Sequence, residues 1–170
     1  MSMSHKAFAF DWNAFHGDFA PILRAALDAN DVTELAEFID QERDQLTDPY
    51  NGDPLSGDWR SMLEASDVQE LADFALTRYY RVREDHGIGP RWLEVSESLP
   101  VAQSAALLGK PFGVGNQLFD PGRLGAYFQA PALVVQSLAS LAVATGVQLR
   151  SFRELLAACA GRQLGVYVTF

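Results

Sequence analysis

Leu164-Gly-Val-Tyr-Val-Thr-Phe170 is the stretch on which the fold turns. Leu164, Val166, Val168 and Phe170 fall on one side of an extended chain and Tyr167 and Thr169 on the other, with the β-branched and aromatic side chains that suit a pleated strand. The other strand-like segment lies at the opposite end: Lys6-Ala-Phe-Ala-Phe10 is short, apolar and followed by Asp11. Phe8, Phe10, Val166, Val168 and Phe170 need a common core, so the two ends are expected to pair in one sheet. A third strand is read at Trp92-Leu-Glu-Val-Ser96.

Between these ends the period is helical. Asp18 opens a segment running to Ala29, with Pro21 in the first turn and Asn30 as the stop. Asp31-Val-Thr-Glu34 reads as a cap with its reciprocal acid ahead of Leu35, Ile39 and Leu46, and Ser66-Asp-Val-Gln69 repeats the device ahead of Val68, Leu71, Ala75 and Tyr79. Arg78, Arg81 and Arg83 then fall at that helix's negative end. Further helices are read from Pro100 to Leu108, from Pro131 to Ala144 and from Gln148 to Ala160, stopped at Gly109, Gly146 and Gly161. The expectation is one α+β domain over residues 1–170, with about six helices around a small sheet that pairs the N-terminal and C-terminal strands.

A chain of 170 residues, 48% apolar and 21% charged, fits one globular domain. No apolar run approaches the roughly 20 residues that cross a bilayer, and Met1-Ser-Met-Ser-His-Lys-Ala has no apolar segment behind its charge. One cysteine, Cys159, gives neither a disulfide framework nor a thiol metal cluster, so a soluble protein of a reducing cytoplasm is expected. Eleven arginines against two lysines, with 23 alanines, suggest a GC-rich bacterial genome.

The net charge of −9 is unevenly laid out. Residues 1–97 hold 20 acids against 8 bases, a net −12, while residues 98–170 hold 2 against 5, a net +3. Such a field repels phosphate backbones and anionic membranes, which argues against both as partners, and attracts basic proteins. Glu34, Glu37, Asp40, Asp44 and Asp48 are the candidate contact residues in the acidic segment; the competing reading is a solvated helix face that serves solubility.

Reaction-defining motifs of the P-loop, nucleophile-elbow, zincin and thioredoxin types are absent, and Gly113-Val-Gly115 and Gly87-Ile-Gly89 lack the third glycine of a dinucleotide loop. From Asp48 the calcium-loop spacing fails at Tyr50 and Trp59, so no metal is assigned and no cofactor is expected. His16 and His86 each have carboxylates nearby in sequence. An alternative reading is therefore a hydrolase-like enzyme of unspecified reaction using His16, Asp85, His86 and Arg91, provided the fold brings the histidines into one pocket. His5 is assigned to a frayed terminus, and Cys159 to the apolar stripe of the last helix.

The stretch from Lys110 to Gly125 packs four glycines and two prolines into 16 residues and offers Asn116, Asp120 and Arg123 as binding groups. Asp120-Pro-Gly122 reads as a type II turn that aims Arg123. Taken together these features favour a non-enzymatic, acidic, cytoplasmic interaction protein of the immunity or antitoxin type that binds a basic protein partner. A homodimer joining the acidic and basic parts is a further reading.

Overall fold

The computed structural model describes residues 3–170. Three strands form an antiparallel sheet in the order β1-β5-β4, where β1 is Lys6–Phe10, β5 is Gly165–Thr169 and β4 is Ala126–Gln129. The two ends of the chain pair as the sequence implies, with Phe8 opposite Tyr167 and Lys6 opposite Thr169. The third strand is not at Trp92, where the chain forms a short helix, α5 (Trp92–Ser98). It is β4, opposite β5 with Tyr127 facing Val168.

A central strand must bury both faces, and the residues of β5 alternate accordingly. Phe8, Phe10, Phe128 and Tyr167 look into one cluster, formed with α1 (Trp12–Ala14), the π-helical turn Phe15–Phe19, α2 (Ala20–Ala29), α3 (Thr33–Glu42) and α4 (Val68–Leu76). Ala7, Val166 and Val168 look the other way, against α7 (Pro131–Leu141) and α8 (Arg150–Arg162). The strand-forming apolar residues therefore share a sheet but not a core, contrary to the expectation of a common one. The reason is the pleat itself: odd and even positions of one strand cannot meet.

The first cluster is built from rings. Phe15 stacks on Phe128 at 5.6 Å between centroids, Phe128 on Tyr167 at 5.0 Å, and Phe8 lies 4.8 Å from Tyr80. Each such side chain, once buried, contributes roughly 1.5–3 kcal/mol.

Helix ends differ from expectation in instructive ways. The first helical stretch begins at Trp12, because the Asp11 carboxylate caps it by accepting from the Ala14 N–H at 3.2 Å. It stops at Asn30 in the left-handed region, as read. At α4 the cap is Asp67, one residue later than Ser66, accepting from the Glu70 N–H, while the Glu70 carboxylate reaches past the cap to the N–H groups of Glu64, Ala65 and Ser66. That helix ends at Leu76, so Arg78 and Arg83 tie loops together, reaching Glu42 and Asp53, rather than complementing its last turn. α8 runs through Gly161 and closes on Gln163, with the Leu164 N–H donating to the Cys159 carbonyl and the Leu164 side chain on the second cluster. A short α6 (Val101–Ala105) precedes Gly109.

His5 is not frayed. It is fully buried, its Nε2–H donating to the Leu107 carbonyl at 2.7 Å and its Nδ1 accepting from the Ile88 N–H at 3.1 Å. The segment carrying Asp85 to Gly89 lies along the outer side of β1, with the Ala7 carbonyl accepting from the His86 N–H and the Gly89 N–H donating to the His5 carbonyl. Gly87 makes this approach feasible, since any Cβ there would collide with the His5 carbonyl. Across the sheet, Lys110 and Phe128 exchange both of their backbone hydrogen bonds beside β4. Among the described residues no helix is long and apolar enough to cross a membrane.

Candidate functional site

The acidic segment divides by its surroundings. On α3, Leu35 and Ile39 are buried, and Glu34 and Glu37 stand exposed on the opposite stripe, continued by Asp44 in the turn that follows. Glu34 and Glu37 form no ion pair among the described residues, and Asp44 has only Arg43 at 3.8 Å, with its side chain 95% exposed. Asp40 is committed instead: its carboxylate takes the Arg60 guanidinium and the Trp59 indole N–H, which hold its pKa below the usual carboxylate range. Asp48, grouped with these acids by charge, is buried and accepts from the Tyr50 N–H at 2.7 Å, so it leaves the acidic surface altogether.

The histidine constellation takes separate local roles. Asp85 accepts from the Ala7 and Gly87 backbone N–H groups, which fixes the segment against β1, and Arg91 pairs with Glu94. His86 Nδ1 lies 3.5 Å from the Ser151 hydroxyl, and His16 lies beside Trp12 with 5.9 Å between ring centroids. Five clefts of the surface are lined by other residues and not by either imidazole. Among the described residues there is also no cluster of three or more metal-ligating side chains.

The stretch from Lys110 to Gly125 is ordered as a hairpin, β2 (Gly113–Val114) against β3 (Gln117–Leu118), anchored by buried Phe112 and Phe119. Asn116 sits exposed at its tip. Gln69 pins the hairpin to α4, donating to the Leu118 carbonyl and accepting from the Asp120 N–H, both at 2.7 Å. Asp120 turns inward to accept from the Gly125 N–H. The turn from Asp120 to Arg123 closes at 3.2 Å, but it is not type II: Gly122 keeps a negative φ, and Arg123 itself takes the left-handed conformation at φ 57°. Arg123 makes no ion pair among the described residues and borders a groove whose other walls carry Glu64, Asp67 and Glu70.

That groove meets a second cleft on a residue the sequence analysis passed over. Asp73 lies in Leu71-Ala-Asp-Phe-Ala-Leu76, an α4 segment whose other members are buried apolar side chains. Its carboxylate has no hydrogen bond or ion pair among the described residues, and it opens into a cavity of about 180 Å³. The walls are Lys6 and Phe8 of β1, Tyr167 and Thr169 of β5, Tyr80, Asp85 and, at the mouth, the 77%-exposed Tyr50. Burial, reinforced by the charges of Asp48 and Glu70, pushes the Asp73 carboxyl up to about 7; Lys6 pulls weakly the other way. Glu70 makes the contrast, because it accepts the backbone N–H groups of Glu64, Ala65 and Ser66 at 2.6–2.8 Å. Buried Glu70 is saturated with donors, and half-buried Asp73 has none. A carboxyl shifted into the neutral range inside a cleft is the pattern of a working site, and the lone acid within an all-apolar helical run was its only sequence signal.

No protein-family model matches the chain, and no curated protein or solved structure matches it either.

Proposed function

We propose that this protein is an acidic, non-enzymatic interaction protein that docks a basic protein partner on the α3 face, in the way immunity proteins and antitoxins mask basic toxins. The observation that carries the reading is the stripe Glu34, Glu37 and Asp44, exposed on one side and, among the described residues, with a single ion pair, Arg43 to Asp44 at 3.8 Å. Unpaired exposed acids contribute almost nothing to the fold, so their accumulation along one helix face costs charge repulsion with no structural return. An approaching basic surface gains from that field in association rate and in discrimination against acidic partners. Three neighbouring acids differ in this respect, because Asp40, Glu42 and Asp53 are each engaged by an arginine of the same chain.

The test is the triple variant Glu34→Lys, Glu37→Lys, Asp44→Lys, assayed against the product of the gene adjacent to its own. The variant should melt within a few degrees of the parent, while its association rate falls and loses its dependence on ionic strength. An association rate unchanged by the reversal removes α3 as the docking face.

A further inference from the structure

The cleft over Asp73 lies apart from the α3 face and has its own chemistry. Tyr80 and Tyr167 are 8% and 1% exposed, yet their hydroxyls are not among the fully enclosed polar atoms lacking a partner; Gln129 Oε1 alone of the described residues is in that state. The Tyr80 hydroxyl makes no hydrogen bond among the described residues, whereas that of Tyr167 has the Thr169 side chain as its partner. The Tyr80 hydroxyl thus stands unpartnered in a cavity it shares with an unpartnered carboxylate. Buried phenols normally find partners, and a phenol and a carboxylate that both lack one on the same cavity mark the place of a missing group.

We propose that this cleft binds a single organic cation, a guanidinium or primary ammonium on a slender apolar stem. Asp73 supplies the opposing charge, the Tyr80 and Tyr167 hydroxyls accept the remaining N–H groups, and the rings of Phe8, Tyr80 and Tyr167 flank the stem.

Three features select this ligand class. The first is sign: Asp73 and Asp85 line the cavity and Asp48 and Glu70 lie close behind, while Lys6 sits exposed at the rim without an ion pair among the described residues. The second is size. A volume of about 180 Å³ is below the roughly 300–1,000 Å³ of clefts that hold drug-sized molecules, so it suits one side-chain-sized group. The third is the wall, where the rings of Phe8, Tyr80 and Tyr167 pack with centroids 4.8 Å and 5.1 Å apart and give the stem an apolar lining.

Binding a cation holds Asp73 ionised. Affinity should therefore rise with pH as its carboxyl gives up the proton, near 7, and level off above. The other charged or titratable groups facing it are Asp48, Glu70, Asp85 and Lys6, with Tyr50, Tyr80 and Tyr167, and, across the adjoining groove, Glu64, Asp67, Asp120 and Arg123; burial holds Tyr80 and Tyr167 neutral far above this range.

The experiment is an NMR titration of the whole chain with N-acetylarginine amide and with its uncharged isostere, N-acetylcitrulline amide. The arginine probe should shift the resonances of Lys6, Asp73, Tyr80 and Tyr167, and Asp73→Asn should weaken it by about tenfold or more, as expected for losing a charged hydrogen bond. Tyr80→Phe gives a second reading, a smaller loss with the carboxylate intact. A citrulline probe that binds as well as arginine, or an Asp73→Asn protein that binds arginine unchanged, overturns the proposal. Two supporting outcomes separate the sources of the cation. If the cation belongs to a protein, an arginine-bearing basic peptide binds more tightly than the free probe, and the α3 reversal removes only that excess. If it is a free amine, agmatine binds at least as tightly as the peptide and the α3 reversal changes nothing.

Discussion

Asp73→Asn should make the protein more stable at pH 8, the opposite of what removing a buried charged group normally does. The folded chain holds the Asp73 proton up to about pH 7, whereas the unfolded chain releases it near 3.8. Between those values the folded state carries more protons, so this group's contribution to stability falls as pH rises and is flat above 7. A displacement of about three pH units at 1.36 kcal/mol each sets a ceiling of about 4 kcal/mol. Water entering the cleft and adjustment around the amide reduce this, and half of it, about 2 kcal/mol, corresponds to a rise of about 4–8 °C in melting temperature for a chain of this size. The assay is thermal unfolding of both proteins from pH 4 to pH 8. Their difference should be near zero at pH 4, grow through pH 6 and reach its plateau above 7. The neighbouring Glu70→Ala is the control and should lose stability, because it strips three backbone N–H groups of their acceptor. An asparagine variant that is less stable at pH 8, or a difference that does not change with pH, refutes the reasoning.

Two further expectations follow from the sheet and from His5. Removing residues 166–170 takes away buried Val166, Tyr167 and Val168, about 5–9 kcal/mol by burial alone and comparable to the whole net stability of a domain; a soluble truncated protein with an unchanged melting temperature contradicts the sheet assignment. Burial lowers the His5 pKa below its usual 6.5, so the unfolded chain takes up a proton first and stability is lost as pH falls below that value. Thermal melts between pH 7.5 and 5 in the Asp73→Asn background, where the opposing slope is gone, should show this loss in the parent and not in His5→Gln.

The pairing of the chain ends was legible because Phe8, Phe10, Val166, Tyr167 and Val168 suit almost nothing except a buried strand. β4 was not, since Ala126–Gln129 is four residues long and follows a run of turn-forming glycines and prolines. Trp92-Leu-Glu-Val-Ser96 alternates like a strand, but lies on the surface as a helix with Glu94 held by Arg91, a choice made by packing and not by period. Charge pattern alone placed Asp40, Asp44 and Asp48 together, though one is bound to Arg60, one is solvated and one is buried. Asp73 escaped because its meaning depends on Tyr167, 94 positions away in sequence and adjacent only after the last strand is in place.

The segments lying beside β1 and β4 have a consequence for how this protein can meet others. His5 and Ala7 on one side, and Phe128 on the other, already exchange their outward main-chain hydrogen bonds with residues of the same chain. A sheet of only three short strands would otherwise offer two templates on which a foreign strand could grow. With those positions occupied, the middle of each edge of this sheet is closed to stacking of copies and to a partner's extended peptide, and recognition there is left to side chains. Partners would then be distinguished by charge and shape, and single substitutions could retarget the surface without disturbing the sheet beneath.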